Sequence, residues 1–245
     1  MPFTFSHPAI VLPFLRVSPR WFSATGLVVG SLTPDFEYFL RMHIHGEYGH
    51  TLPGIVFFCL PIGLLLAFAF HNLVRDTLFE NLPRFLRSRL IPFTAFDWNQ
   101  HFRNRWYVVI ASILLGAASH IFWDAFTHAG GYFVTAIPAL NASIQLGPIQ
   151  VAAYKFLQHL STLIGGIIVI GAILSLPTRS TSIRSGHGAK YWIILVLIAV
   201  FIIAARLPTD DEIPSAVTVI VVILSATLLS LIITPFVMKL GTRRR

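Results

Sequence analysis

The sequence is short of nearly everything that a water-soluble enzyme carries on its surface. Of its 245 residues only 11% are charged, against 55% hydrophobic, and its mean hydropathy is +0.74. Soluble domains carry about a quarter charged residues, so a globule covered by water is excluded. Cysteine is nearly absent. Cys59 stands alone, which rules out an intrachain disulfide and a thiolate metal site and leaves His, carboxylate and water as metal ligands. A cleavable signal peptide is not expected, because no Lys or Arg precedes the first apolar run, Ala9–Leu15, and Pro13 interrupts it. Neither an internal repeat nor a nucleophile-elbow motif occurs, which removes the simplest serine-hydrolase reading.

What the sequence has is length spent on apolar runs. A membrane span needs about 20 mostly apolar residues. Five stretches approach or meet that: Pro53–Asn72, Trp106–Trp123, Phe156–Leu176, Tyr191–Ala205 and Ile213–Met238. The fourth is short and runs into Arg206, whose long side chain can snorkel to a headgroup. The expected fold is all-α: a polytopic helical membrane protein of about five spans. Its domains divide as a chemically active part over 1–176, a polar linker over 177–190, and two anchor spans with a basic tail over 191–245. The last two spans, rich in Val, Ile and Leu, read as plain anchors.

The net charge of +8 is a topology signal. Arg75, Arg84, Arg87, Arg89, Arg103 and Arg105 crowd the loop between the first two spans. The next loop, Asp124 to Lys155, has Lys155 as its only cation. Arg179, Arg184 and Lys190 mark the third loop, Asp210, Asp211 and Glu212 the fourth, and Lys239 and Arg243 to Arg245 the end. Alternation of basic with non-basic loops predicts that the Arg-rich loop 75–105 and the C-terminus are cytoplasmic. Membrane lipid is thus the expected partner. Nucleic acid is not, since no binding motif accompanies the charge.

Residues 1–50 are of a different kind. Pro8–Val17 and Pro19–Thr33 are each too short to cross alone and read as two helices of a re-entrant or interfacial hairpin. Such a hairpin returns His7 and Pro34-Asp35 to one side. Backbone of this sort is tolerated at depth only when packed against protein.

The chemically informative residues lie there and at the end of the second span. Ser-His-Ile-Phe-Trp-Asp-Ala-Phe-Thr-His places His120, Asp124 and His128 at i, i+4 and i+8, on one face if the helix runs to Gly130-Gly131. Intramembrane ionisable groups are costly and imply a partner or a function. A His and an Asp one turn apart can share a divalent ion, although a structural His–carboxylate pair has the same spacing. Counting from Trp106, His120 and Asp124 lie about 21 and 27 Å along the helix, toward the outer leaflet. The first span begins just after His50-Thr51, on the same side. His7, Asp35, His50, His120, Asp124 and His128 therefore form the expected ligand set, for zinc or a similar ion, one or two per chain. Asp35 or Glu37 is the candidate general base. His43 and His45 read as solvated, His71 and His101 as remote, and His159 as bordering the site at most.

Several motifs carry a resemblance. Met-Pro-Phe-Thr-Phe-Ser-His-Pro-Ala at the start, Gly30–Phe39, His50–Gly54, Ser119–His128 and Tyr154–His159 resemble a bacterial membrane family known as domain of unknown function 4184. The order His, Pro-Asp, His-Thr, His-x-x-x-Asp is also similar to the membrane-bound metal-dependent hydrolases, and more remotely to the zinc-dependent phospholipase C and nuclease group. That resemblance implies hydrolysis of a phosphodiester or related ester by a metal-activated water. One departure is plain: the phospholipase group uses a mature N-terminal amine as a ligand, which a chain keeping Met1 does not supply. An outer-leaflet site favours an amphiphilic substrate. The alternative is a non-catalytic protein whose same residues bind metal structurally or conduct metal or protons.

Overall fold

The computed structural model describes residues 3–17, 20–179, 188–206 and 215–242. Five described helices are long and apolar enough to cross a membrane: Leu52–Asn81, Trp98–Asp124, Ala153–Leu174, Gly188–Arg206 and Ala216–Leu240. The protein is all-α and polytopic, with one small addition. Ser143–Leu146 and Ile149–Ala152 pair as an antiparallel hairpin. Its cue in the sequence is the alternation of Ser-Ile-Gln-Leu and Ile-Gln-Val-Ala about Gly147-Pro148. Gly147 takes φ +61°, as the first position of a two-residue turn requires.

The first two spans are longer than their apolar runs. The first continues past Asn72 to Asn81, and the second begins at Trp98, with a break at Arg105 (φ −142°, ψ 29°) close to where its apolar run starts. Hydropathy reports how much helix lipid can cover, whereas the helix itself continues wherever its polar side chains find partners. The N-terminal hairpin also differs in detail. Its first arm is a short helix, Pro8–Val11, continued as 3-10 turns over Leu12–Arg16. The second arm starts at Ala24, because Ser23 caps it by accepting the Gly26 N–H at 3.2 Å. Ser18 and Pro19, most of the expected 177–190 linker, the acidic 210–212 stretch and Arg243 to Arg245 lie outside the described residues.

The chain divides into two compact units. The first comprises Met1–Asp35, Glu47–Leu64 and Arg105–Ser175. Its backbone is brought together by small residues. A Cβ added to Gly26 would stand 2.8 Å from the Ser112 Cβ, and one on Gly30 would collide with the Ile113 carbonyl. One on Gly116 would lie 2.7 Å from the Ser31 N. Gly26 and Gly30, four apart, thus seat the Ala24–Gly30 helix directly on the second span beside Ser112 and Gly116, the close approach that small residues permit between membrane helices. On another side, Gly165 of the third span leaves room for Ser6, whose hydroxyl donates to the Thr162 carbonyl at 2.9 Å. The Phe3 N–H donates to the Thr162 hydroxyl at 3.0 Å.

The second unit comprises Phe36–Gly46, Leu65–Asn104 and Leu176–Arg245. Its fourth and fifth spans pack on each other, burying Tyr191, Leu195, Val222 and Ala226. The fifth span is not purely apolar. Ser225, Ser230 and Thr234 are buried, and each hydroxyl returns to the carbonyl one turn back, at 2.6–2.7 Å. Hydroxyls satisfied inside their own helix suit an anchor.

Candidate metal centre

Four segments of the first unit deliver ionisable side chains to one point. The Thr33–Asp35 3-10 turn, ending the N-terminal hairpin, brings Asp35. Gly49 permits the Pro34 carbonyl to approach, since a Cβ there would collide with it, and this sets His50 beside Asp35. Thr51 then caps the first span by accepting the Gly54 N–H at 3.0 Å. The second span contributes His120 and Asp124 one turn apart, and the Thr4–Ser6 turn contributes His7. His7, Asp35 and His120 are fully buried, and Asp124 nearly so.

Asp35, His50, His120 and Asp124 each offer one ligand atom, all within 4.8 Å of one another, so this group could hold a metal ion. The finer geometry favours it. His120 Nε2 lies 3.3 Å from Asp124 Oδ2 and 3.6 Å from Asp35 Oδ1. His50 Nε2 lies 3.5 Å and 3.4 Å from the same two oxygens. Four-coordinate zinc, with bonds of about 2.0–2.2 Å, separates neighbouring ligand atoms by about 3.3–3.6 Å. Asp35 Oδ1, His120 Nε2 and Asp124 Oδ2 are buried without a hydrogen-bond partner. Buried polar atoms seldom go unsatisfied, and three of them aimed at one point suit a cation.

The outward-facing atoms of these groups are held. The His120 Nδ1–H donates to the Ser31 carbonyl at 2.7 Å, which fixes the tautomer and leaves the Nε2 lone pair facing inward. The Thr4 hydroxyl donates to Asp35 Oδ2 at 2.6 Å. His7 spans the Thr4 carbonyl and Asp124 Oδ1, 3.2 Å from each, and its ring stacks on that of His120 at 3.7 Å. Two carboxylates and two neutral imidazoles match a divalent ion in charge.

The groups outside the spans show the same electrostatics. Burial opposes ionisation of Asp35, but the His120 and His50 rings beside it hold its carboxyl well below the usual range. Burial likewise opposes a proton on His50, yet the Asp124 and Asp35 carboxylates raise its pKa above the ordinary value.

The other expected site residues fall at or beyond the edge. The helix ends at Asp124, so His128 does not extend its face to Gly130-Gly131. The Phe133 and Val134 N–H groups take the Ala125 carbonyl, at 3.2 and 3.3 Å, where a longer helix would have used it. The His128 Nδ1–H instead donates to the Asp124 carbonyl at 3.0 Å, and Nδ1 stands 3.6 Å from Asp124 Oδ1. Glu37 belongs to the second unit, where Arg41 donates to its Oε1 from Nε and Nη2, at 3.2 and 3.1 Å. His43, His45 and His159 are exposed. The sequence alone assigns no role to Thr4 or Ser31. The only cue to Thr4 is its place three residues before His7, the reach of one 3-10 turn. The Ser31 contribution is a backbone carbonyl, which no residue type announces.

A helical membrane protein with a buried His–carboxylate cluster able to hold a metal ion is the class that fold and site define. The sequence profile described as "Domain of unknown function (DUF4184)" matches residues 1–236, and the chain belongs to that family. No curated protein and no solved structure matches it.

Proposed function

We propose that this protein is a membrane-embedded metal-dependent hydrolase acting on a phosphodiester or ester of an amphiphilic substrate at the outer membrane face. The observation that carries the reading is the inward group of two imidazole and two carboxylate ligand atoms, 3.3–3.6 Å apart from His to carboxylate and all within 4.8 Å, while the outer atoms of three of these side chains are tied to Thr4, Ser31 and His7. Zinc suits two imidazoles and two carboxylates. When bound, the ion would supply Lewis acidity at a phosphoryl or carbonyl oxygen and acidify a water, which needs a coordination position beyond the four side chains or the release of one of them. His7 and Asp124, whose Nε2 and Oδ1 lie 3.2 Å apart, would be the residues to hold a second ion.

The chain's own residues set the rest. The His50 and His128 side chains are 27% and 32% exposed, against 7% or less for Asp35, His120 and Asp124, so substrate reaches the cluster past those two rings. Asp35 is the carboxylate proposed to take the proton of the attacking water, which requires it to release the ion from Oδ1 or give up the Thr4 hydroxyl on Oδ2. Glu37, the other candidate base, is engaged by Arg41, and a Glu37→Gln variant tests it separately. Charge alternation supports an outer-face site, because the neutral 125–154 segment joins the spans at this end.

The test has two stages. Metal analysis of detergent-purified protein should find one or two equivalents of zinc or a relative per chain, and His120→Ala with Asp124→Ala should remove them. Metal retained at full stoichiometry in that double variant would sink the centre. A panel of phosphodiester and ester amphiphiles, turned over by wild type and not by Asp124→Asn, would then establish hydrolysis. Metal without turnover on any of them would favour a static metal site.

A further inference from the structure

Between the second and third spans the chain makes an element that the metal centre does not use. From Ala125 to Tyr154 there is no Asp, Glu, Lys or Arg, a charge-free length approached in this chain by the runs 48–74 and 213–238 that contain spans. The segment folds as two short helices, Tyr132–Ala136 and Pro138–Asn141, followed by the Ser143–Ala152 hairpin. It is ordered by its own contacts. The Asn141 side chain donates to the Val134 carbonyl at 2.6 Å, the Ala153 N–H donates to the Ala142 carbonyl at 2.9 Å, and Phe126 stacks on Phe133 at 4.0 Å. Its outer face is uncharged and amphipathic: Tyr132 is 73% exposed and Ile149 61%, with Ile137 also exposed, beside exposed Thr135, Asn141, Ser143, Gln145 and Gln150.

We infer that residues 132–152 form a membrane-contact surface, seated at the headgroup–acyl boundary of the leaflet that holds the metal-centre end of the spans. Chain continuity fixes its level. The segment leaves one span at Asp124 and enters the next at Ala153, so it cannot stand far from the bilayer surface. Lack of charge fixes its environment, because an ionisable group would resist partial burial among acyl chains and none is present. Exposed aromatic and aliphatic side chains at a span terminus are what the interface retains. The surface also bears on the centre: the Phe133 and Val134 N–H groups hold the Ala125 carbonyl, one residue beyond Asp124. A substrate drawn from the same leaflet would meet His50 and His128 without leaving the interface, a consequence that rests on the hydrolase reading. The surface itself does not.

The test is depth-resolved quenching in the full chain. In a Cys59→Ala background, Ile149→Cys, Tyr132→Cys and, as a lipid-facing reference in the fourth span, Phe201→Cys each carry an environment-sensitive fluorophore in phosphatidylcholine vesicles. Three quenchers are compared: lipid with a nitroxide near the glycerol, lipid with a nitroxide near the chain end, and aqueous iodide. At Ile149 and Tyr132 the shallow nitroxide should quench several-fold more than either of the others. Stronger quenching by iodide, stronger quenching by the deep nitroxide, or none by any of them (a surface covered by another copy of the chain) would overturn the inference. The readout needs no metal. Metal content measured on the same vesicles therefore separates failure of the surface from failure of the centre.

Discussion

Among the described residues each unit of this protein contains a dense polar cluster, and these two are built on opposite principles. In the second unit, beside an open pocket of about 310 Å³, Arg75 is buried and its Nε, Nη1 and Nη2 each donate to an acceptor. Nη1 gives to the Phe96 carbonyl at 2.7 Å, Nη2 to the Thr94 carbonyl at 3.1 Å, and Nε to Asp76 at 2.6 Å. Asn72 and Asn99 exchange amide hydrogen bonds at 3.1 and 3.3 Å, and His71 stacks on Trp98. In the first unit the side chains face each other at distances too long for good hydrogen bonds, and Asp35 Oδ1, His120 Nε2 and Asp124 Oδ2 have no hydrogen-bond partner. The Arg75 cluster leaves one buried donor, Trp98 Nε1, without a hydrogen-bond partner among the described residues, and a polar network so nearly complete by itself holds a fold together. One that is complete only with a cation is a binding site.

Asp124 separates the two clusters most sharply. Replacing Asp124 by Ala should abolish stoichiometric metal while leaving the protein extractable and helical, since the outer partners of the other ligands remain. Elemental analysis beside circular dichroism reads both. The reverse pattern is expected at Arg75. Arg75→Met leaves the Thr94 and Phe96 carbonyls without their donor and should cost about 3 kcal/mol, about a hundredfold in the folding equilibrium. Thermal unfolding in detergent should show that loss with metal content unchanged. Loss of metal with Arg75→Met would show that the polar network of the second unit also supports the centre.

A smaller effect sharpens the same distinction inside the first unit. His7 touches Asp124 through the oxygen facing away from the four-ligand group. His7→Ala should therefore weaken metal binding by about 10–100-fold, the usual cost of losing a ligand's supporting partner, and full occupancy should return at raised metal concentration. If a second ion sits between His7 and Asp124, stoichiometry instead falls from two to one and excess metal does not restore it.

How much of this the sequence discloses depends on the kind of contact. The five spans are legible because apolar length is a local property, and the pairing of His120 with Asp124 is legible because helical spacing is too. Convergence of Asp35, His50 and His120 follows from charge alternation and chain direction, which place chain ends on one side without fixing distances. What is not legible depends on backbone. The Gly26–Gly30 approach to Ser112 and Gly116, the Ser31 carbonyl on His120, and the end of the second span at Asp124 all turn on where main-chain atoms meet. Arg75 shows the same limit from the other side. By composition it belongs to a basic loop, but its acceptors are mostly carbonyls of residues about twenty positions away.

The smallest expected effect is on pH dependence, and here the metal-free and metal-loaded protein should move in opposite directions. The Asp124 and Asp35 carboxylates raise His50 above its ordinary value of 6.5 against the pull of burial. A histidine whose pKa is raised by folding stabilises the metal-free fold fully below its unfolded value. That contribution is lost as pH rises through the folded value, so the metal-free protein should lose stability from about neutral pH upward. Metal binding displaces the same proton, so affinity should fall as pH drops below the raised value, by roughly tenfold per pH unit for one proton. Asp35, held low, stays ionised across this range and loses its contribution only as pH falls below the ordinary carboxylate values. Metal titrations and thermal unfolding between about pH 6 and 8.5 read the two slopes. Slopes of the same sign would mean that the proton on His50 and the ion do not compete for one place, and His50 would leave the ligand set.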